Sequence, residues 1–279
     1  MLSVKRYRCA IFSIWLTFFI SPAQAEAVDG WQFSLAAGHG KISTVLSGRR
    51  PISGNFIPGV SYYGERFYLE NTHLGYSLVE NDYGYIDLVG ELNDDGMFFE
   101  LDGVNKFGWW DAIGIGRTDG GESPGHPENY YEDIERNLSY MAGISGNLVL
   151  ADTTFRATFL RDVSGVHQGE TQRFSVRRDF APLPKLTLQL TALAEHKDQQ
   201  LINYYYNFRP NELNNSPSWF SLPDLWNFSY GGSVNYQFDQ HWSLMAHWQH
   251  HQMDKDIQRN PIILRADYQS KFVGVRYIF

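Results

Sequence analysis

A few residues in this chain have side chains that could form a catalytic site. Asp162, Ser164 and His167 bring the residue types of a nucleophilic triad within six positions of one another. Triad members are recognised by their roles in space, so closeness along the chain predicts little. We interpret this segment as a polar loop after a strand. No catalytic residue is predicted, and the protein is not expected to be an enzyme.

The densest histidine group lies near the end of the chain, at His241, His247, His250 and His251. A metal site needs ligands that meet at one point. Strand alternation would place His241 in a turn, His247 on the inner face, and the other two on opposite faces near the far end of the same strand. We therefore predict no metal site, and no cofactor is predicted either.

Charged residues also occur inside segments that alternate like strands, on the face opposite the apolar side chains. They are Asp87, Glu91, Arg156, Arg173, Arg177, Glu195, His247 and Arg276. Both signs are present, which allows two interpretations. The side chains could fill a narrow interior as ion pairs, because an uncompensated buried charge is costly. They could instead line a constricted channel.

The final stretch, residues 268–279 (YQSKFVGVRYIF), indicates what kind of strand carries these residues. Tyr277, Val275 and Val273 alternate with a mixed, small and polar set, and the chain stops on Phe279. This pattern is typical of the closing strand of a membrane barrel, whose outer face meets lipid and whose last aromatic lies at the membrane interface. Lys271 stands where a further apolar residue is expected.

The whole pattern predicts an all-β fold, an antiparallel transmembrane β-barrel of about twelve strands with extended outer loops. Seventeen Tyr, nineteen Phe and eight Trp suit the aromatic girdles of such a barrel. The expected location is the cell outer membrane of a Gram-negative bacterium. A periplasmic β-sandwich is the competing architecture, because its strands alternate as well.

Some segments are harder to assign. Residues 67–79 are predicted as one strand bulged near Gly75, and residues 56–63 as a strand that admits Pro58. Residues 94–135 lose the alternation; residues 97–101 could return as a hairpin, and residues 118–127 read as loop. Residues 201–208 (LINYYYNF) are predicted as a strand or a strand extension. Ten strands result if that segment is only an extension and the early hairpin is one broken strand.

The first residues predict export. Lys5, Arg6 and Arg8 precede a short apolar core, and residues 23–25 (AQA) form a small-x-small cleavage site, so residues 1–25 are predicted as a signal peptide and residues 26–279 as the barrel. Cys9, the only cysteine, lies in this segment. With 31 Asp+Glu against 23 Lys+Arg, the chain is too acidic for nucleic acid to be an expected partner.

Several local patterns together resemble one known group, the MipA/OmpV family. They are YYGERFYLENTHLGYSLVEND at 62–82, EDIERNLSYMAGISG at 132–146, RDVSGVHQG at 161–169, NYYYNFRPNE at 203–212, HWSL at 241–244 and NPIILRADYQSKFVGVRYIF at 260–279. The resemblance covers nearly the whole mature chain. These outer-membrane proteins are named for interaction with the lytic transglycosylase MltA.

The resemblance implies a non-catalytic scaffold that links peptidoglycan synthesis to hydrolysis, with a lytic transglycosylase and a peptidoglycan synthase as partners and outer-membrane lipid as surroundings. It carries no catalytic residues. Some members are described as surface antigens or adhesins, which is one alternative. A small-solute pore is the other, and it predicts a conductance that changes when Arg173 or Arg177 is neutralised.

Overall fold

The structure is a computed structural model that describes residues 30–45, 51–98, 115–117, 136–208, 221–260 and 263–279. The strands are β1 (Gly30–Ile42), β2 (Ile52–Tyr63), β3 (Phe67–Glu70), β4 (His73–Asn81), β5 (Gly84–Leu92), β6 (Ile115–Arg117), β7 (Tyr140–Leu150), β8 (Thr153–Asp162), β9 (Glu170–Leu183), β10 (Leu186–Lys197), β11 (Leu225–Gln237), β12 (Trp242–Gln252) and β13 (Asp267–Ile278). Within these described residues, one α-helix, α1 (Gln199–Tyr206), and two 3-10 helices (Asp94–Phe98 and Lys255–Arg259) lie between strands. None of these helices is long and apolar enough to cross a membrane.

The strands form a closed antiparallel barrel. Apart from β6, the strands pair in chain order, and β13 also pairs with β1, so that Ser34 lies opposite Ile278. The short β6 pairs with β2 from Ile52 to Gly54 and stands outside the ring, while β5 pairs directly with β7. Twelve strands therefore close the barrel, as the sequence predicted.

The two faces of the wall differ as a membrane barrel requires. On β13, Tyr268 and Phe272 are buried inside, whereas Lys271 and Val273 are exposed outside. On other strands the outer face carries large exposed apolar residues such as Trp31. Because period-two alternation places successive side chains on opposite faces, the apolar set meets lipid and the polar set meets the interior.

The first hairpins differ from the sequence prediction. Residues 67–79 form two strands, β3 and β4, separated by a turn in which Asn71 has a φ of 52°. Asn71 caps β2: its backbone N–H donates to the Val60 carbonyl, and its Oδ1 accepts from the Val60 N–H. Pro58 lies two residues before Val60, so its nitrogen points to this same edge, above the end of β3. A proline is tolerated there because no described strand needs a donor from it.

Apart from the two-residue β3–β4 turn, the short turns lie at one end of the barrel, together with Phe279, and the longer connections lie at the other; we name these the turn end and the loop end. At the turn end, two-residue connections place Ala151 and Lys185 at positive φ. Short turns are typically periplasmic and long loops external. This geometry orients the chain in the outer membrane.

The prediction of a strand at residues 201–208 is wrong, because this segment begins within α1. The Asp198 side chain caps the helix by accepting from the Leu201 N–H at 2.9 Å. Residues 94–98, from the irregular region, form a 3-10 helix. The signal-peptide prediction, the hairpin residues 99–101 and the loop at 118–127 lie outside the described residues.

Candidate functional site

A chain of buried charges crosses the interior near the loop end. Arg173 on β9 contacts Glu91 on β5, and its Nε donates to Glu195 Oε1 on β10 at 2.5 Å. Lys197 lies one inward position further along β10, where its Nζ is 3.2 Å from Glu195 Oε2 and 2.7 Å from Asp95 Oδ1. Strand register causes part of this arrangement, because Arg173 and Glu195 are directly opposite each other.

Asp95 joins this charge chain to the segments that fold inward from the loops. It belongs to the 3-10 helix after β5, and its Oδ1 also accepts the Tyr206 phenol at 2.6 Å. The Tyr206 carbonyl accepts from Asn260 Nδ2 at 2.5 Å, and the Asn207 carbonyl accepts from Arg136 Nη2 at 2.9 Å. Burial, followed by the nearby Asp95 carboxylate, raises the pKa of Tyr206 well above its usual value, so its proton stays in place.

An apolar cluster surrounds these contacts inside the loop end. Its buried members are Val45, Val89, Met141, Leu160, Leu201, Ile202, Tyr205, Tyr206, Leu222, Leu225, Met253, Ile257, Ile263 and Tyr268. They come from strands, from α1 and from the connections that follow β1, β10 and β12. We call α1, residues 94–98, residues 253–260 and Ile263 together the plug, because they occupy the interior at this end.

A small cavity lies between the plug and the wall. A cavity of about 20 Å³ is bordered by Glu195, Lys197, Tyr206, His251 and Tyr268. This volume accommodates one or two water molecules, and its walls offer several polar partners. In the described residues, the arrangement is that of a filled and charge-paired interior at the loop end.

Nearer the turn end, the inner wall carries carboxylates held by tyrosines. Tyr63 donates to Glu70 Oε1 at 2.5 Å, and Tyr68 donates to Asp87 Oδ2 at 2.9 Å. The Tyr68 ring lies over Gly75, where any side chain would overlap it. This close approach explains why residue 75, near which the sequence predicted a bulge, is a glycine.

The charged strand residues lie inward, as predicted from alternation. Five are buried and three are partly buried: Asp87, Glu91, Arg156, Glu195 and Arg276, then Arg173, Arg177 and His247. Arg156 Nε donates to Asn147 Oδ1 at 2.7 Å, and Arg177 Nε is 3.1 Å from Asp179 Oδ2. The sequence allowed either an interior filled with ion pairs or a charge-lined channel. At the loop end, the described residues form ion pairs.

Asp162, Ser164 and His167 are close in space but do not form a catalytic relay. Asp162 accepts from the Ser164 hydroxyl at 2.6 Å and from the backbone N–H of His167 at 2.7 Å. The His167 ring points elsewhere: its Nδ1 accepts from the Gly169 N–H at 2.9 Å, so the neutral ring carries its proton on Nε2. That proton faces Ser139 Oγ at 3.0 Å.

Ser139 continues a chain of donors that ends on the backbone. Its hydroxyl is 3.0 Å from the Tyr205 hydroxyl, which donates to the Asn137 carbonyl at 3.0 Å. Each group in the series His167, Ser139, Tyr205 therefore donates to the next. Burial lowers the pKa of His167 despite the opposing carboxylate of Asp162, which keeps the ring neutral. His167 thus acts as a donor that ties the loop to α1, not as a base toward Ser164.

The histidines near the end of the chain are dispersed, as predicted. His241 stacks on Tyr277 in a turn, His250 faces Tyr230 outside, and His251 stacks on Tyr268 inside at 4.4 Å between ring centroids. Within the part of the chain that the structure describes, no group of three or more His, Cys, Asp or Glu residues could hold a metal ion.

Three important members of the site were missed by sequence reasoning: Asp95, Lys197 and Tyr206. Asp95 lies in residues 94–135, where the alternation is lost. Tyr206 was assigned to a strand or a strand extension. The inward position of Lys197, two residues after Glu195, is the one signal that could have identified it.

Comparison with known proteins places this fold in a family. The sequence profile described as MltA-interacting protein MipA matches residues 35–279. No curated protein matches the chain.

Among solved structures, similar chains are outer-membrane barrels. A loop L8 deletion mutant of OmpT of Vibrio cholerae is 11% identical, with a TM-score of 0.34, and the match covers 90% of this chain and 100% of that one. The NanC porin is 9% identical, with a TM-score of 0.43, and the match covers 88% of this chain and 98% of that one. The translocator domain of the autotransporter NalP from Neisseria meningitidis is 12% identical, with a TM-score of 0.40, and the match covers 89% of this chain and 88% of that one.

These similarities to solved structures are distant, and the family assignment rests on the sequence profile. That profile spans all the strands after the first residues of β1. The protein is thus an outer-membrane β-barrel that belongs to the MltA-interacting protein MipA family.

Proposed function

We propose that this protein is a non-catalytic scaffold of the Gram-negative cell envelope, which brings together a lytic transglycosylase and a peptidoglycan synthase. The observation that carries the proposal is the plug. Described loop segments fold into the barrel, where Asp95 pairs with Lys197 and accepts from Tyr206. A barrel filled in this way is suited to act through its outer surfaces and its ends. The family description, MltA-interacting protein, is in keeping with a protein partner.

The absence of a catalytic role is part of the same proposal. The candidate triad residues have structural partners, since Asp162 holds backbone N–H groups and His167 donates to Ser139. The proposal also includes export: residues 1–25 would be removed as a signal peptide, and residues 26–279 would form the mature protein.

The turn end is the surface on which this scaffold would bind its partners. Peptidoglycan and the enzymes that process it lie in the periplasm, and short turns of outer-membrane barrels face that side. Asp82 and Asp152 are exposed in two such turns, the β4–β5 and β7–β8 connections. At the opposite end, Lys255 is exposed on the 3-10 helix of the plug. These three positions provide a matched set of probes.

The test is crosslinking in intact cells with a photoreactive amino acid at Asp82, Asp152 or Lys255, followed by purification in mild detergent and identification of the captured proteins. The scaffold proposal expects a lytic transglycosylase or a peptidoglycan synthase from the two turn-end positions and not from Lys255. A barrel of similar abundance carrying the same photoreactive residue serves as the second control.

Other results would contradict the proposal in distinct ways. Capture of the insertion machinery alone, from all three positions, would exclude a stable scaffold. Capture of host or surface proteins at Lys255 only would favour the adhesin alternative.

A further inference from the structure

Two lysines lie directly opposite each other on the outer wall of the barrel. The pairing of β1 with β13 places Lys41 across from Lys271, and both side chains are exposed on the outer, lipid-facing surface. Directly opposed residues in an antiparallel pair have Cβ atoms about 4.5–5.5 Å apart. Like charges at this separation destabilise the pair. Lys271 is also the residue that interrupts the apolar alternation of the closing strand.

The level of these lysines on the wall is marked by an aromatic residue. Trp248 on β12 lies opposite Lys271 on its other side, and it is exposed outside. The Trp248 ring is 5.8 Å from Tyr230 between centroids. Trp and Tyr concentrate at membrane interfaces, so this aromatic pair marks the loop-end interface. Lys41, the next-to-last residue of β1, lies at the same end.

The described part of the wall offers these lysines no counter-charge. Neither Lys41 nor Lys271 takes part in an ion pair with another described residue. The acidic residue on the same face of β13 is Asp267, four positions away and therefore about 13 Å along the strand. An outward lysine is costly near the bilayer centre and nearly neutral in energy at the interface. A counter-anion at this level would therefore come from the membrane.

We propose that Lys41 and Lys271 form a binding site for the phosphate of an outer-leaflet lipid headgroup, with Trp248 packing beside its apolar part. A phosphate oxygen set placed between the two ammonium groups would convert their repulsion into two attractive contacts. His39 lies on the same face of β1, two residues before Lys41, and supplies a further donor beside the site. The lipid binds the barrel from outside, so the site is independent of the plug and of any periplasmic partner.

The test uses the full-length mature protein in neutral detergent, with Lys41→Gln, Lys271→Gln and the double variant. Thermal unfolding is followed without lipid, with lipid A that carries phosphates, with dephosphorylated lipid A, and with inorganic phosphate. Lys255→Gln is the matched control, because it removes the same charge from an exposed position on the plug.

We expect phosphorylated lipid A to raise the unfolding temperature of the wild type and of Lys255→Gln by about 5 °C, from about two lysine–headgroup contacts. The double variant should lose this rise. Without lipid, each single variant should have an unfolding temperature at least as high as that of the wild type, because the repulsion between Lys41 and Lys271 is relieved. A variant that merely folds badly would be less stable in both conditions.

Three results would overturn the proposal. The double variant could keep the full rise with phosphorylated lipid A, which would place lipid binding elsewhere. Dephosphorylated lipid A could stabilise as well as the phosphorylated form, which would reduce the effect to apolar contact. Inorganic phosphate alone could reproduce the rise, which would make the site one for a free anion.

Discussion

His167 shows how a residue with catalytic potential can be committed to a structural role by the direction of its hydrogen bonds. Its Nδ1 accepts from the backbone, and its Nε2 donates to Ser139. Protonation would put a second proton on Nδ1, opposite the Gly169 N–H, so the bond would be lost. The neutral ring is therefore a condition for the folded loop.

This requirement predicts a pH dependence of stability. Burial lowers the pKa of His167 in the folded state below its ordinary value of 6.5, while the unfolded chain keeps the ordinary value. The unfolded state then binds more protons between the two values, so the free energy of unfolding falls as the pH drops below about 6.5. Denaturant midpoints at pH 7.5 and 5.5 measure this loss.

Two variants separate His167 from the other histidines. His167→Gln removes the titrating group, so we expect the loss of stability between pH 7.5 and 5.5 to become smaller. His241→Gln changes an exposed turn residue and should leave the loss unchanged. An equal pH dependence in all three proteins would show that His167 does not titrate in this range.

At the scale of elements, α1 is where sequence reasoning failed, and the reason is physical. Residues 201–208 are rich in tyrosine, which favours strands, and alternation can be traced through them. The buried set, however, is Leu201, Ile202, Tyr205 and Tyr206, which follows the helical spacing. For so short an apolar segment both periods fit, and the interior into which the helix packs is not visible locally. Asp198, placed as an N-cap, was the available local signal.

The cap gives a test of α1 as an element. Asp198→Ala removes the acceptor of the Leu201 N–H and should lower helix stability by about 1 kcal/mol, seen as about fivefold faster hydrogen exchange of the α1 amides. Asp198→Asn keeps an acceptor and should remain close to the wild type. Exchange in strand β12 serves as an internal reference. If the α1 amides of both variants exchanged as slowly as those of the wild type, packing alone would hold the helix in place.

For the whole molecule, the number of strands was predicted correctly although two assignments behind it were not. Residues 67–79 were counted as one strand and form two, β3 and β4, whereas residues 201–208 were counted as a strand and form a helix. The two errors cancel in the total. Alternation identified the inward charges on strands, such as Arg173 and Glu195, because one period holds along a wall. It could not identify Asp95, because the segments of the plug have no common period.

The plug links these scales, because we expect its attachment to the wall to determine whether the barrel conducts ions. We expect the wild type to show little conductance in planar bilayers, since Lys197 holds Asp95 and Glu195 together across the loop end. Lys197→Met leaves both carboxylates without that cation. Breaking a buried ion pair in this way costs about 3–5 kcal/mol, so the plug should loosen and brief openings should appear.

A second variant distinguishes release of the plug from general damage to the fold. Adding Asp95→Asn to Lys197→Met removes the negative charge that had faced Lys197 at Asp95, while Glu195 keeps its ion pair with Arg173. Openings should therefore become rarer again, whereas Lys255→Met should resemble the wild type. A large and steady conductance of the wild type, altered by neutralising Arg173 or Arg177, would contradict a closed interior. The pore alternative would then replace the scaffold, because a filled interior is what directs function to the surfaces of this barrel.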